Sequence, residues 1–555
     1  MQAKSRSWQW QVWSIGLIAS CVLDAFGAQY HVAPSGTAAG DGSKDKPFSA
    51  AHVAQAVTLQ PGDEVVFRDG VYTPALLGGP LNIQSIGSAR APITWRAENR
   101  HQAIIDGGRP IAGWQAVAGE AGVWEHRLDF APRSLLVDGE GLIDAGSTWR
   151  RDGRTTLDEG MFAVQPQTDK RFLVRLHNWM DRAPQEVFAV DGTLVNVAGA
   201  FNVFDGFLVR RGLVGVHVAG RQVHVYQPEG QALEVSGLAH NAFGCFNVVR
   251  RCIVRDMTGQ GLTSNESRFN TIEDCVIYNA GVGQGDHGIY VSNGAENLTL
   301  RRNIWWRTSG GAIHIYSGSA IDSPRGIVVQ YNIFGPDKRG RCFPLRNRKS
   351  AAIYVWGGSR FAGHNRITHN LVIGPHDRAL SVHRSHFNLI AHNVFLNSSG
   401  APLQIGSGYG SLIVNNIIEY SPGGSGDGFQ ERPEGYAAFS QSGDSPSLTR
   451  MRNNLLLPRG DQGGALPAGM EASRVATADP FVNRAQWDFR LKPDSEAIDV
   501  GVALEHITGK IAGRAPDAGP LECGMPMHGD QGRFPEVPAW LLKDGTKSDP
   551  RPSEP

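Results

Sequence analysis

Between residues 286 and 406, short apolar runs recur that can be written under one another: 288–292, 312–316, 352–356, 379–383 and 402–406. Each alternates with a period of two, which predicts strands with one buried face. Ile289, Ile313, Ile353, Leu380 and Leu403 form one inward column, and Val291, Ile315, Val355, Val382 and Ile405 a second. The outward columns read Tyr290, His314, Tyr354, Ser381, Gln404 and Ser292, Tyr316, Trp356, His383, Gly406. Stacked strands lie about 4.8 Å apart. In that register the outward side chains form one strip of phenol, indole and imidazole groups.

The runs belong to a longer repeat. One position, between two strand-like runs, is filled by Cys252, Cys275, Asn303, Asn332, Asn370, Asn393 and Asn416, at spacings of 23, 28, 29, 38, 23 and 23. A base period with loop insertions is the pattern of a solenoid, whose coils bury their apolar faces only by stacking. Asparagines repeated at a turn can bond along the stack through their amides. A sandwich or propeller needs hairpins with Asn-Gly or Asp-Gly turns, and those do not separate these runs.

The chain opens differently. Tyr30–Gly36 is followed by a predicted helix over 49–59, then by short runs at 65–68, 70–72, 93–96 and 103–107. This opening resembles the capped first coils of right-handed parallel β-helix proteins of the pectate-lyase-like superfamily. The resemblance extends over most of residues 29–525 and implies an all-β fold, a right-handed parallel β-helix. A helix there would cover the open end of the stack. Such folds carry lyases, hydrolases, epimerases and binding proteins, so the resemblance speaks to fold more than to function.

Residues 114–196, with Trp114, Trp124, Trp149 and Trp179 at no clear period, read as a β-rich insert. The expected order is therefore an export signal (1–28), cap and first coils (29–113), insert (114–196), β-helix core (197–420), C-terminal coils and cap (421–527) and a flexible tail (528–555). The export signal rests on Lys4 and Arg6 before an apolar stretch too short to span a bilayer. It implies secretion or a periplasmic location. Ile18–Cys21 also resembles a lipoprotein site, which would anchor the chain at Cys21.

Composition narrows the partners. The 555 residues carry no net formal charge, which gives no global field toward nucleic acid or a membrane surface. No later segment has the length and apolarity of a membrane span. Six cysteines without a CxxC pair signal neither a disulfide framework nor a zinc site.

Local charge is uneven. Gly335–Ser350 carries Lys338, Arg339, Arg341, Arg346, Arg348 and Lys349 against Asp337. Arginines there could clamp a carboxylate or sulfate of a polysaccharide. The bland alternatives are a solvated loop and rings covered by other segments. The outward strip columns hold no Asp or Glu, which argues against the paired carboxylates of glycoside hydrolysis. β-Elimination on a uronic acid needs a cation for the carboxylate, a base and an acid. His314 is the candidate base, Tyr354 or Tyr290 the acid, and Arg346, Arg348, Lys349 or Arg378 the clamp. His287, Tyr290, Tyr316, Trp356 and His383 are candidate sugar-binding residues.

Gly374–Arg378 resembles the Asp-Pro-His-Asp element of mannuronan C5-epimerases, with Gly374 in place of the first Asp. The resemblance implies roles for His376, Asp377 and Arg378. Asp286 and Asp377 sit three rungs apart, about 14 Å, and so serve different parts of an extended site. The leading expectation is a polysaccharide lyase on an acidic polysaccharide, acting as a monomer. A C5-epimerase, a glycoside hydrolase and a non-catalytic glycan binder stay open. No cofactor is required. Calcium stays open through Asp286 and Glu266, although no calcium-loop motif is present.

Overall fold

A computed structural model describes residues 27–146, 157–178, 182–219, 244–283, 285–317, 323–338, 351–357, 362–406, 408, 410–420, 439–442, 449–459, 466, 469–530 and 532–545. Residues 1–26 of the expected export signal, Cys21 among them, and Arg339, Arg341, Cys342, Arg346, Arg348 and Lys349 lie outside the described residues.

Three parallel sheets run the length of the molecule, with 13, 10 and 12 strands among the described residues. The chain visits them in turn. One coil takes Thr271–Glu273 in the first sheet, Val276–Ala280 in the third and Ile289–Ser292 in the sheet that carries the strip. The stack is a right-handed parallel β-helix. In the strip sheet Ile289 pairs with Ile313, Ile313 with Ile353, Ile353 with Leu380 and Leu380 with Leu403. Both inward columns are buried, as the period of two predicts, and they join a core that runs from Val32 to Met470.

The turn before the third sheet carries the expected ladder. Asn303, Asn332, Asn370, Asn393, Asn416 and Asn454 follow one another, each donating its backbone N–H and its amide to the side-chain oxygen of the next. The preceding residues, such as Arg302, Tyr331, His369 and His392, have φ values of 53–55°. A left-handed corner aims the following N–H away from the sheet ladders, and the asparagine oxygen takes it. Cys252 and Cys275 continue the row, their thiols donating to Arg250 and Glu273 carbonyls. A second ladder stands at another corner: Asn202 to Asn247 to Asn270, and Asn365 to Asn388.

Four expectations change in detail. The cap helix runs Ala50–Gln55 behind a Ser49 N-cap, and stops before β-branched Val57 and Thr58. The insert forms two sheets between Arg109 and Val190, so Thr193–Val197 is a strand of the coil stack. The last segment does not lie across the end of the stack. Phe481, Phe489, Leu491, Ala497, Ala518 and Leu521 pack on Ile304, Trp306, Ile333, Leu371, Val394 and Ile417. That is the outward side of the third sheet, whose alternate residues are apolar because this segment covers them. The expected flexible tail from 528 is likewise anchored as far as it is described: Phe534 and Leu541 are buried in the same cluster, and Ala539–Gly545 is a helix.

Candidate functional site

The strip is a continuous wall of rings. Register places Tyr290 beside His314, His314 beside Tyr354, and Tyr316 beside Trp356 and then His383. Ring centroids are 5.3 Å apart for Tyr290–His314, 4.8 Å for His314–Tyr354, 6.2 Å for Tyr354–Trp356 and 5.2 Å for Trp356–His383. Tyr316 closes on His314 at 5.3 Å. These six residues are half-buried, their faces covering one another. The wall narrows beyond Trp356. Ser381 and Gln404 are buried, and both bond to the His383 Nε2. Arg384 stacks on Trp356 at 5.5 Å, a cation that the alternation did not mark because it falls just past the strand.

His287 joins the wall from the turn before its strand. It is 4% exposed, and its Nε2 lies 2.7 Å from the His314 Nδ1. Burial holds both imidazoles neutral. It pushes His314 down to about 3, with His287 adding to the shift, and His287 down to about 4. Burial lowers His383 as well, against its hydrogen bond to the Gln404 Oε1. Burial raises Tyr354 to about 12, opposed by Arg378, and raises Tyr290 in the same direction. At neutral pH His314 is therefore a neutral imidazole between the protonated phenols of Tyr290 and Tyr354.

The charged groups lie at its edges. Arg378 donates to Asp377 at 2.7 Å, and both side chains are about 10% exposed. Its guanidinium is thus committed to a neighbour, although its charge still reaches Tyr354 and His383. His376 is buried, and its carbonyl accepts from Ser399, which ties the turn to the next coil. Asp286 accepts from the Val282 and Gly283 N–H groups. Burial raises its carboxyl, with those bonds and Lys338 opposing. Glu266 is exposed and lies level with Asn293, a strand's length from Asp286 and roughly 20 Å away. The two acids named for calcium cannot share one ion. Among the described residues no group of three or more His, Cys, Asp or Glu is placed to hold a metal.

The insert reaches the same edge. Glu140 accepts from Arg307 and pairs with Lys338 at 3.1 Å. The Asn279 amide donates to the Gly139 carbonyl at 2.7 Å, and Gly141 lets Val282 approach where a Cβ would collide with it. Lys338, expected as part of a basic lobe, is instead buried, with its ammonium on Glu140 and the Gly281 carbonyl.

No curated protein matches the chain. Among solved structures, XylC in complex with xylose overlaps at a TM-score of 0.45 and 13% identity, over 81% of this chain and 86% of that one. Pectate lyase Pel9A overlaps at 0.44 and 16%, over 90% and 96%. Neither likeness bears on the chemistry of the wall. No helix of the described residues is long and apolar enough to cross a membrane. Residues 233–332 match the family model described as the right handed beta helix region, and with the three parallel sheets this makes the chain a right-handed parallel β-helix protein.

Proposed function

We propose that the ring wall is the active site of an enzyme that processes an acidic polysaccharide, acting by β-elimination. The observation that carries this reading is the neutral His314 between two protonated tyrosines, Tyr290 and Tyr354, on a flat aromatic surface. Sugar rings stack on Tyr316 and Trp356, which offer apolar faces with polar handles. His314 removes the proton next to the uronate carboxylate. Tyr354 gives its proton to the leaving oxygen. Arg384 and Arg378 supply positive charge beside the wall, and Arg346, Arg348 and Lys349 are proposed as the carboxylate clamp. Residues 1–28 are proposed to direct export, where such polymers are met, and the enzyme is proposed to act as a monomer. Calcium is proposed only as an aid to the carboxylate, with Asp286 as its nearest acid.

A second reading is C5-epimerisation, favoured by the His376–Arg378 turn at the edge of the same wall. Both reactions begin with the same proton and differ in whether the C4–O bond breaks. Incubation with alginate, pectate, chondroitin and heparin separates the readings. Ultraviolet absorbance from an unsaturated uronate is expected. Exchange with heavy water at C5 without that absorbance would mean epimerisation. Retention on a glycan with neither signal would mean a binding protein.

A further inference from the structure

We infer that the pocket between the corner of the third sheet and the C-terminal segment is a second binding site, suited to a small sugar acid. It lies away from the ring wall, and the inference does not depend on the chemistry proposed there.

The pocket starts at the corner that leads into the third sheet. Tyr331, His369 and His392 hold the same left-handed place in three successive coils. Their rings stack, with centroids 4.8 Å apart for both pairs and planes inclined by 28° and 9°. The C-terminal segment crosses this column without filling the space beside it. Residues 508–510 and 519–522, with Met525 and Arg533, bound a pocket of about 510 Å³ when its open mouth is counted. That is room for one small molecule.

Two of the three rings are already satisfied. The His392 Nδ1 donates to the Gly519 carbonyl, so its Nε2 accepts from the Asn415 amide and the Thr508 hydroxyl. The Tyr331 hydroxyl accepts from Arg533. His369, stacked between them, differs. It is 7% exposed, and neither ring nitrogen has a hydrogen-bond partner among the described residues. Neither nitrogen is sealed from solvent. A buried polar ring left in that state costs stability unless something enters to bond it. Burial, with His392 and Arg533 beside it, holds the ring neutral. A neutral imidazole offers one donor and one acceptor. A hydroxyl matches whichever nitrogen faces it, whereas sulfate, which only accepts, matches the N–H alone.

The rim supplies charge. Arg533 reaches over the Tyr331 ring at 5.3 Å, and its guanidinium lies 3.5 Å from where a Cβ on Gly509 would sit. Among the described residues no carboxylate pairs with Arg533 or with Lys510. Glu522 also lines the pocket, but its two oxygens already accept from the Ala512 and Asp517 N–H groups. Two cations therefore stand against one committed acid. Arginine in that place can clamp a carboxylate. Leu521, Met525 and Pro526 give apolar sides for the C–H face of a sugar ring. A cationic rim, a neutral polar floor and apolar sides together match a uronate monosaccharide.

The test titrates D-glucuronate into the full-length protein labelled with nitrogen-15 histidine. The His369 resonances, assigned with His369→Phe, are expected to shift, and glucuronate is expected to bind several-fold more tightly than sulfate or D-glucose. Equal binding of sulfate would mean a plain anion site, and equal binding of glucose a site indifferent to charge. Either overturns the inference, as does no binding at millimolar concentration. Arg533→Gln is expected to weaken glucuronate about tenfold or more. His369→Phe keeps the stack, removes both nitrogens and is expected to weaken it about fivefold. Trp356→Ala, on the ring wall, is expected to leave it unchanged. Loss of binding in Trp356→Ala with full binding in Arg533→Gln would put the ligand on the wall and overturn the inference. Lys510→Gln alters an exposed side chain and is expected to weaken binding about threefold. It keeps the test open should the other pocket variants fail to fold, and unchanged affinity in folded Arg533 and Lys510 variants overturns the site. If the protein turns over no uronate polymer, the elimination reading falls and these binding results stand.

Discussion

A phenol at about 12, such as Tyr354, keeps its proton through the neutral range and can give it only to a strong base formed beside it. The expected consequence is specific. Tyr354→Phe should lower kcat by about 10²- to 10⁴-fold while leaving the unfolding midpoint within error, because only a half-buried hydroxyl is removed. Steady-state kinetics beside a thermal melt would check both. His287 and His314 make a second prediction at this scale. Their values in the fold, about 4 and about 3, lie below the 6.5 of a free imidazole. Below 6.5 the unfolded chain therefore binds more protons, and stability rises with pH. The contribution is complete above about pH 6.5 and is lost progressively as pH falls toward about 3. Urea midpoints should drop steadily on acidification from about pH 7 to about pH 4, and His314→Gln should flatten part of that slope. Of the site, the aromatic columns were legible in the alternation of single residues. The His287–His314 bond was not, because the two lie 27 residues apart and their contact depends on a turn.

At the scale of one coil, two features hold the stack, and each is open to a measurement. Ile353 is fully buried between Ile313 and Leu380. Ile353→Ala should cost about 2–5 kcal/mol by lost transfer energy and the cavity left behind. Asn370 takes the Asn332 N–H and gives its own to Asn393. Asn370→Ala orphans a buried backbone donor in the coil before it and should cost about 1–3 kcal/mol. Denaturant midpoints with unchanged m-values would confirm both as losses of stability. The first ladder could be read from the sequence because its spacing repeats. The second, Asn247 to Asn270 and Asn365 to Asn388, carries the same 23-residue step. It is harder to see because Ser411 and backbone groups fill its other places. The helix at 50–55 is shorter than the 49–59 expected: Ala50, Val53 and Ala54 carry its contact with the core, and the chain leaves helical geometry at Ala56, before Val57 and Thr58.

Across the whole molecule, added segments decide which faces of the stack meet water. The C-terminal segment covers the outward side of the third sheet, and the insert grips the turn beside the wall through Glu140. Glu140→Ala removes the shared carboxylate from two largely buried cations, Arg307 and Lys338, and should destabilise that contact by about 3–5 kcal/mol. Limited proteolysis should then release the insert earlier than in the wild type, and equal cleavage rates would remove Glu140 as its anchor. What the sequence determined by itself is the coil: a period of two sets which side chains face inward, and a step near 23 sets which ones stack. Those properties are local and repeat, so they are written along the chain. What only the tertiary structure decided is which polar groups remain available. Arg378 is engaged by Asp377, Lys338 is buried on Glu140, and the imidazoles are neutral. Those outcomes depend on neighbours brought from distant segments and on the water they exclude, and neither is encoded in any periodicity.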